Sequence, residues 1–347
     1  MRKTKLRLFG VIAALAPVLA SAPAFCGPIE FVGAAGAVRA LFSTPSDPCV
    51  PRLPAWELSV GEGTYNRFAA KRAEFDCRAA FAAAARDFTD EEREMLTRYV
   101  ARVDSAIHAE LPALNRLPWR FAVIADSSDF GIPASDKYIV LTTGLLKEMQ
   151  EWMKNQTSML FVGMEILIHE KVGLLQQSRA STFEKFYSEA WGFRKIPALS
   201  IDRLMQASGI FLTRFPPNEW VIKFTPSDKE YIMPALLLRD AGKGGGGTVQ
   251  RVAVVIDSTS KGFFPRKSKK TPLEYKDLRA ATHYRKKFPL SEYDYHPAEL
   301  SADLLAKYIV MKYVSSGYGT HPAKVSEYSQ IDLLMKMLES EGNAKRF

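Results

Sequence analysis

Residues 157–177 read TSMLFVGMEILIHEKVGLLQQ. Leu160, Met164, Leu167, Ile168 and Leu175 recur at helical spacing, which predicts a mostly buried helix over about Thr157–Gln177. Set into it are two side chains that carry chemistry, His169 and Glu170. Gly173 follows four residues after His169, one turn on and on the same face. A helical glycine costs roughly 1 kcal/mol relative to alanine, so helix stability does not explain Gly173.

Reading toward the N-terminus, the hydrophobic period changes. Lys137–Leu141 (KYIVL) and Trp119–Ala125 (WRFAVIA) have the composition of strands, with the turn-rich SSDFGIPASD between them. Thr142 or Thr143 can cap a helix that starts at Gly144. Thr89 with Glu92 three residues later is a capping-box pattern, and its helix should run to about Glu110, ahead of Pro112. Residues 66–86 have high helix propensity, and residues 25–65 are expected to form an extended N-terminal lead-in.

Reading toward the C-terminus, residues 181–193 (STFEKFYSEAWGF) predict a short aromatic helix. Residues 196–290 differ: Pro216, Pro217, Pro226 and Pro234 break helices, and LLLRD and VQRVAVVIDS read as strands joined by GKGGGG. This segment is expected to be a β-rich insertion. Pro297 opens a strong helix over 297–315, and a last helix is expected near Ser326–Glu339. The domain plan is therefore a core over 66–195, the insertion over 196–290 and C-terminal helices over 291–347.

The chain has 347 residues, 47% hydrophobic and 24% charged, which excludes wholesale disorder. Three cysteines are too few for a disulfide scaffold. Residues 1–24 combine Arg2, Lys3, Lys5 and Arg7 with an apolar stretch from Leu8 to Leu19 and small residues at Ala20, Ala22 and Ala24. That is the pattern of a cleaved signal peptide, so the mature chain is expected in the periplasm or secreted. In that setting Cys49 and Cys77 are a plausible pair with Cys26 left over, a pairing the sequence does not fix. Removing four cations takes the net charge from +9 to about +5, and residues 266–287 alone hold nine Lys/Arg against Glu274 and Asp277. That segment reads as a basic surface loop or as a patch for an anionic partner. No nucleic-acid-binding signature, phosphate loop or G-x-S-x-G nucleophile pattern is present in the sequence. No stable membrane anchor is expected.

Three segments together resemble zinc metallopeptidases of the gluzincin, CAAX-prenyl-protease type. The first is IHEKVG (168–173), which resembles the H-E-x-x-H helix. In that motif two histidines one turn apart bind zinc, and the glutamate takes a proton from metal-bound water. The second is SDKYIVLTTGLL (135–146), which resembles the edge strand and helix preceding the motif. The third is HPAELSAD (296–303), which resembles the downstream glutamate motif. The resemblance covers roughly residues 90–195 and 290–315. It implies an α+β fold, a mainly helical zincin-like core with a small sheet and the β-rich insertion. It implies His169 and Glu299 as zinc ligands and Glu170 as general base and acid. Asp303 and His296 would lie behind the ligands, Asp303 orienting a histidine. Gly173 stands where the second histidine would be. His296, three residues before Glu299, is part of the downstream motif or a replacement ligand.

Two functions remain open on this reading. One is a secreted metallopeptidase-like protein whose ancestral reaction is peptide hydrolysis by zinc-activated water. The other is a non-catalytic peptide-binding protein, a pseudopeptidase that keeps the cleft. The partner is a peptide or protein substrate in both. Tyr293, Tyr295 and Tyr308 either line that cleft or pack in the core. A shared site requires the His169 and Glu299 side chains to lie within about 8 Å of each other.

Overall fold

The computed structural model describes residues 28–42, 79, 82–125, 137–197, 210–211, 220–223, 230–239, 248–260, 262–268, 273–288, 293, 295–318 and 326–344. The expected signal peptide, the three cysteines, GKGGGG, His321 and most of 66–86 lie outside these residues. The fold is α+β, with helices around a small sheet and a second, larger sheet.

The small sheet is built on β3 (Trp119–Ile124), which pairs with β1 (Ile29–Phe31), β2 (Ala85–Arg86) and β4 (Ile139–Thr142). β1 and β4 run parallel to β3, and β2 antiparallel. The lead-in is therefore more than extended chain. Ile29–Phe31 forms a strand and Ala34–Phe42 a helix, α1. Phe31 stacks on Phe121 and meets Phe88 edge-on, and this burial draws the segment onto the sheet. Ala85–Arg86, expected to be helical, is instead a strand against Val123 and Ile124. Arg86 is held there by Glu92 (2.6 Å) and by Thr143 (3.1 Å).

Helix α2 spans Asp90–Glu110 with the full capping box. The Thr89 hydroxyl accepts from the Glu92 amide, and the Glu92 carboxylate accepts from the Thr89 amide. A single turn, α3 (Pro112–Asn115), leads into β3. After β4, the Thr142 hydroxyl caps α4 (Thr143–Asn155). Then come α5 (Met159–Ser178), which carries His169 and Glu170, and the aromatic α6 (Ala180–Glu189).

The larger sheet is antiparallel, in the order β10–β9–β8–β7–β5, with β11 on β9 and β6 on β8. Its strands are β5 (Phe193–Lys195), β6 (Ile210–Phe211), β7 (Trp220–Lys223), β8 (Glu230–Arg239), β9 (Thr248–Thr259), β10 (Gly262–Pro265) and β11 (Tyr275–Asp277). The sheet thus begins at Phe193, ahead of the expected boundary at 196. β8 runs through Pro234 because β7 pairs it at Tyr231 and Ile232 while β6 pairs it at Leu236 and Leu237. Pro234 falls between these two partners, where a missing N–H breaks no ladder. Alternation along the strands buries both faces. Trp220, Ile222, Ile232 and Ala253 join the main helical core. Val221, Met233, Val252, Val254 and Ile256 form a second core with Ile196, Phe263 and Leu273.

The basic 266–287 region is partly structural. Arg266 pairs with Asp257 and with Glu230 (2.6 Å), and Lys276 with Glu230 (3.4 Å). Lys287, on α7 (Thr282–Lys287), donates to the Trp191 carbonyl at 2.6 Å. The C-terminal elements are α8 (Pro297–Tyr318), which carries Glu299, and α9 (Ser326–Ala344). Among the described residues, no helix is long and apolar enough to cross a membrane.

Gly163 lets α5 approach α2. A Cβ there would lie 2.8 Å from Cε1 and 2.9 Å from the hydroxyl of Tyr99. Tyr99 is fully buried and its hydroxyl donates to the Met149 carbonyl, so it has little room to yield. Gly163→Ala should therefore destabilise the protein by about 1–3 kcal/mol in urea unfolding, despite a gain in helix propensity.

Candidate functional site

Helices α5 and α8 make the most extensive helix–helix contact among the described residues. Both are apolar over most of their length, yet each carries a line of polar residues into the contact. On α5 these are Glu165, His169 and Gln176, at helical spacing. On α8 they are Glu299, Ser301, Asp303 and Lys307.

The central contact joins residues 130 positions apart. Nε2 of His169 donates to Oε2 of Glu299 at 3.2 Å. Glu299 is nearly buried and His169 mostly so, with side-chain exposures of 9% and 17%. Burial opposes a charged imidazole, but the hydrogen bond and charge of Glu299, then the charges of Glu170 and Asp303, outweigh it. The His169 imidazole is held above its usual pKa. Toward the N-terminus of α5, burial lifts the Glu165 carboxyl, with Lys307 opposing and Asp303 adding to the shift. Lys307 itself is bound to Asp303 at 2.9 Å.

Toward the C-terminus of α5, a neutral network fixes the register of the two helices. The Gln176 side-chain amide donates to the Ala298 carbonyl (2.8 Å) and to the Ser301 hydroxyl (2.9 Å). The Tyr187 hydroxyl, from α6, meets the same serine at 2.9 Å. This gives the aromatic run 183–193 a role. Phe183, Phe186, Tyr187, Trp191 and Phe193 are all buried, and with Trp220, Tyr284 and Phe288 they join α6 to the larger sheet and to α7. Its tyrosine then reaches the glutamate helix.

The structure thus brings His169 and Glu299 into direct contact, with Glu170 and Asp303 close enough to act on them electrostatically. His296 has another task. Its Nδ1 accepts from the Ala298 amide at 3.2 Å, which caps α8. Tyr293 lies with its ring 5.1 Å from that of His169, and Tyr295 neighbours it at 6.2 Å. Tyr293 is also 41% exposed, so it stands between the site and solvent. Tyr308 packs elsewhere and donates to Asp332 on α9 at 2.6 Å. His108 and His283 take no part in these contacts.

Gly173 lies on the His169 face. Among the described residues, no heavy atom comes within 4 Å of where its Cβ would stand. That open turn decides how the site fits a metal. Two donors each about 2.0–2.1 Å from a tetrahedral ion lie about 3.3 Å apart. The 3.2 Å between His169 and Glu299 matches that spacing. Among the described residues, no group of three or more His, Cys, Asp and Glu could hold a metal ion. The residues present therefore do not make up a zinc-peptidase ligand set. Comparisons with protein-family models, curated proteins and solved structures returned no match.

Sequence reading did not identify Gln176, Ser301, Tyr187 or Glu165. The signal was present for Gln176, a polar residue seven positions after His169 on an apolar helix. Ser301 and Tyr187 become visible only when three helices meet.

His296 yields a pH test. Burial pushes its imidazole down to about 4, against the opposing charge of Glu299. Between about pH 6.5 and 4 the unfolded chain binds a proton at His296 that the fold refuses. Its contribution to stability is therefore fully present above the unfolded pKa and lost as pH falls, at up to about 1.4 kcal/mol per pH unit. His296→Asn, compared with the parent by urea unfolding at several pH values, should show a shallower loss across that window.

Proposed function

We propose that the chain is a metallopeptidase-like protein of the periplasm or extracellular space that binds extended peptide segments and has lost full hydrolytic capacity. The observation that carries this reading is the contact of His169 with Glu299 opposite the open turn at Gly173. An imidazole and a glutamate from two distant segments come into contact, as the resemblance to gluzincins requires, and among the described residues no third donor joins them. The signal-peptide pattern of residues 1–24 supports the location.

Peptide binding by strand addition would fall to β4. Among the described residues β4 pairs with β3 alone, and it runs beside α5. Ile139, Val140 and Leu141 are each only 1% exposed, so an extended segment could add to this strand by main-chain hydrogen bonding only once that edge is uncovered. Tyr293, at the solvent side of His169, would offer its ring to a side chain of that segment. Zinc, when bound in a complete site of this type, activates a water for attack on the peptide carbonyl. In this chain Glu170 stands where the base would act, next to His169 and half-buried, and Glu299 holds the His169 ring in position.

A second reading, a working hydrolase, is favoured by one fact: the two donors already have the spacing of a shared metal. Zinc content after dialysis separates the two. The parent chain should retain well under one equivalent, and Gly173→His should retain about one, since the new side chain enters open space. Stoichiometric zinc in the parent, with cleavage of an unstructured protein, would replace the binding reading by the hydrolase. If Gly173→His stays folded and holds no zinc, the metallopeptidase lineage is wrong.

A further inference from the structure

We infer that α7 and the turn before it form a docking surface for an anionic phospholipid bilayer. Arg279, Arg285 and Lys286 meet its phosphates, and Phe264 enters its apolar layer. The inference concerns the larger sheet and is independent of the His169–Glu299 contact.

The positive charge is concentrated in one segment. Residues 266–287 carry +7, whereas the chain without residues 1–24 carries about +5, so everything else is net negative. The structure divides the cations of this segment into two kinds. Arg266 and Lys276 are engaged by Glu230 and Asp257, and Lys287 by the Trp191 carbonyl. Arg279, Arg285 and Lys286 are exposed, and among the described residues their side chains make no hydrogen bond or ion pair.

These free cations sit on an anchored platform. Leu278, Ala281, Tyr284 and Phe288 are buried at spacings of three and four. The single 3₁₀ turn Leu278–Ala280 and α7 thus turn one apolar stripe inward, and the cations fall outside it. Tyr284 packs on Phe193 and Phe288, and Phe288 on Trp191. The Asp277 carboxylate accepts from the Arg279 amide at 2.8 Å, which fixes the turn. Cations carried on an ordered backbone lose less freedom on binding than cations on a free loop.

Phe264 selects the kind of partner. At 47% it is the most exposed large apolar side chain among the described residues. It stands opposite Asp257 on β9, and Lys276 opposite Ala253. Asp257 and Ala253 share a face of the strand, the one that carries Ala253 into the helical core. Leu278, Tyr284 and Phe288 pack on that same face. Phe264 and the cations therefore share one side of the sheet. Along β9, from Asp257 to Val252 opposite the end of β11, they are separated by roughly 17 Å. An anionic bilayer sets a plane of phosphate charge over an apolar layer, which matches cations accompanied by an exposed ring. Three cations and one ring give reversible, salt-sensitive attachment.

The test is sedimentation of the full mature chain with vesicles of phosphatidylcholine, alone or mixed with phosphatidylglycerol. The parent should bind the mixed vesicles about a hundredfold more tightly, near fivefold for each of the three cations. Raised salt should remove most of that preference. Replacing Arg279, Arg285 and Lys286 together by glutamine should weaken binding to the mixed vesicles at least about tenfold. Arg102→Gln, Lys154→Gln and Lys336→Gln together remove the same charge from exposed positions on other helices and should cost no more than about twofold. Phe264→Ser should weaken binding severalfold and leave the salt dependence unchanged. Far-ultraviolet circular dichroism checks that each variant is folded. The inference is overturned if the parent shows no preference for the mixed vesicles, whether or not it binds polyglutamate or duplex DNA instead. Equal losses in the two triple variants overturn it as well, since net charge alone would then be at work. A folded Phe264→Ser that binds like the parent also overturns it.

Discussion

Polar groups enclosed between two apolar helices must find partners, and that constraint organises the centre of this molecule. Leaving a buried donor or acceptor unpaired costs about 1–3 kcal/mol. Along the α5–α8 contact most of this requirement is met in sequence order, by His169 on Glu299 and by the Gln176 amide nitrogen on Ala298 and Ser301, with the charge of Lys307 acting on Glu165, while the Gln176 amide oxygen stays without a hydrogen-bond partner. A slide of one helix along the other by a single turn would separate all of these together. The polar line therefore sets the register, and the apolar residues around it supply most of the adhesion.

The larger sheet serves the same contact from a distance. Its inner face, through Trp220, Ile222 and Ile232, packs into the helical core. The aromatic group from α6, β5 and α7 fills the angle between them, and Tyr187 carries that packing to Ser301. What reads along the sequence as an insertion is thus a buttress for the glutamate helix. The second apolar cluster on the sheet's far face makes the support stiff from both sides.

Much of this was legible in the sequence because the relevant signals are local. The capping box at Thr89 and Glu92, the Thr142 cap, the buried helix around His169 and Pro297 at the head of α8 are each fixed by a few neighbouring residues. β1 was not legible because three residues of strand acquire meaning only when Phe31 finds Phe121. The first half of β8 was hidden by Pro234, which is tolerated where no neighbouring strand needs its N–H. In the site, the meeting of His169 with Glu299 followed from matching two motifs. The capping task of His296 did not, since a histidine two residues before Ala298 gives no sign of which nitrogen it commits. The openness at Gly173 could not be read either, because empty space has no residue to mark it.

Lys171 adds a last consequence. It lies on α5 immediately after Glu170, yet it is wholly enclosed, with its ammonium 3.7 Å from the Trp119 ring centre and 3.6 Å from Asp104. Such a cation can leave its place only at a steep electrostatic cost. Any twist of α5 about its own axis would tear it from both anchors. The helix is pinned like a key in a lock, and His169 on its other side inherits that immobility. The contact between His169 and Glu299 is therefore mounted on a helix whose rotation is blocked from the opposite side.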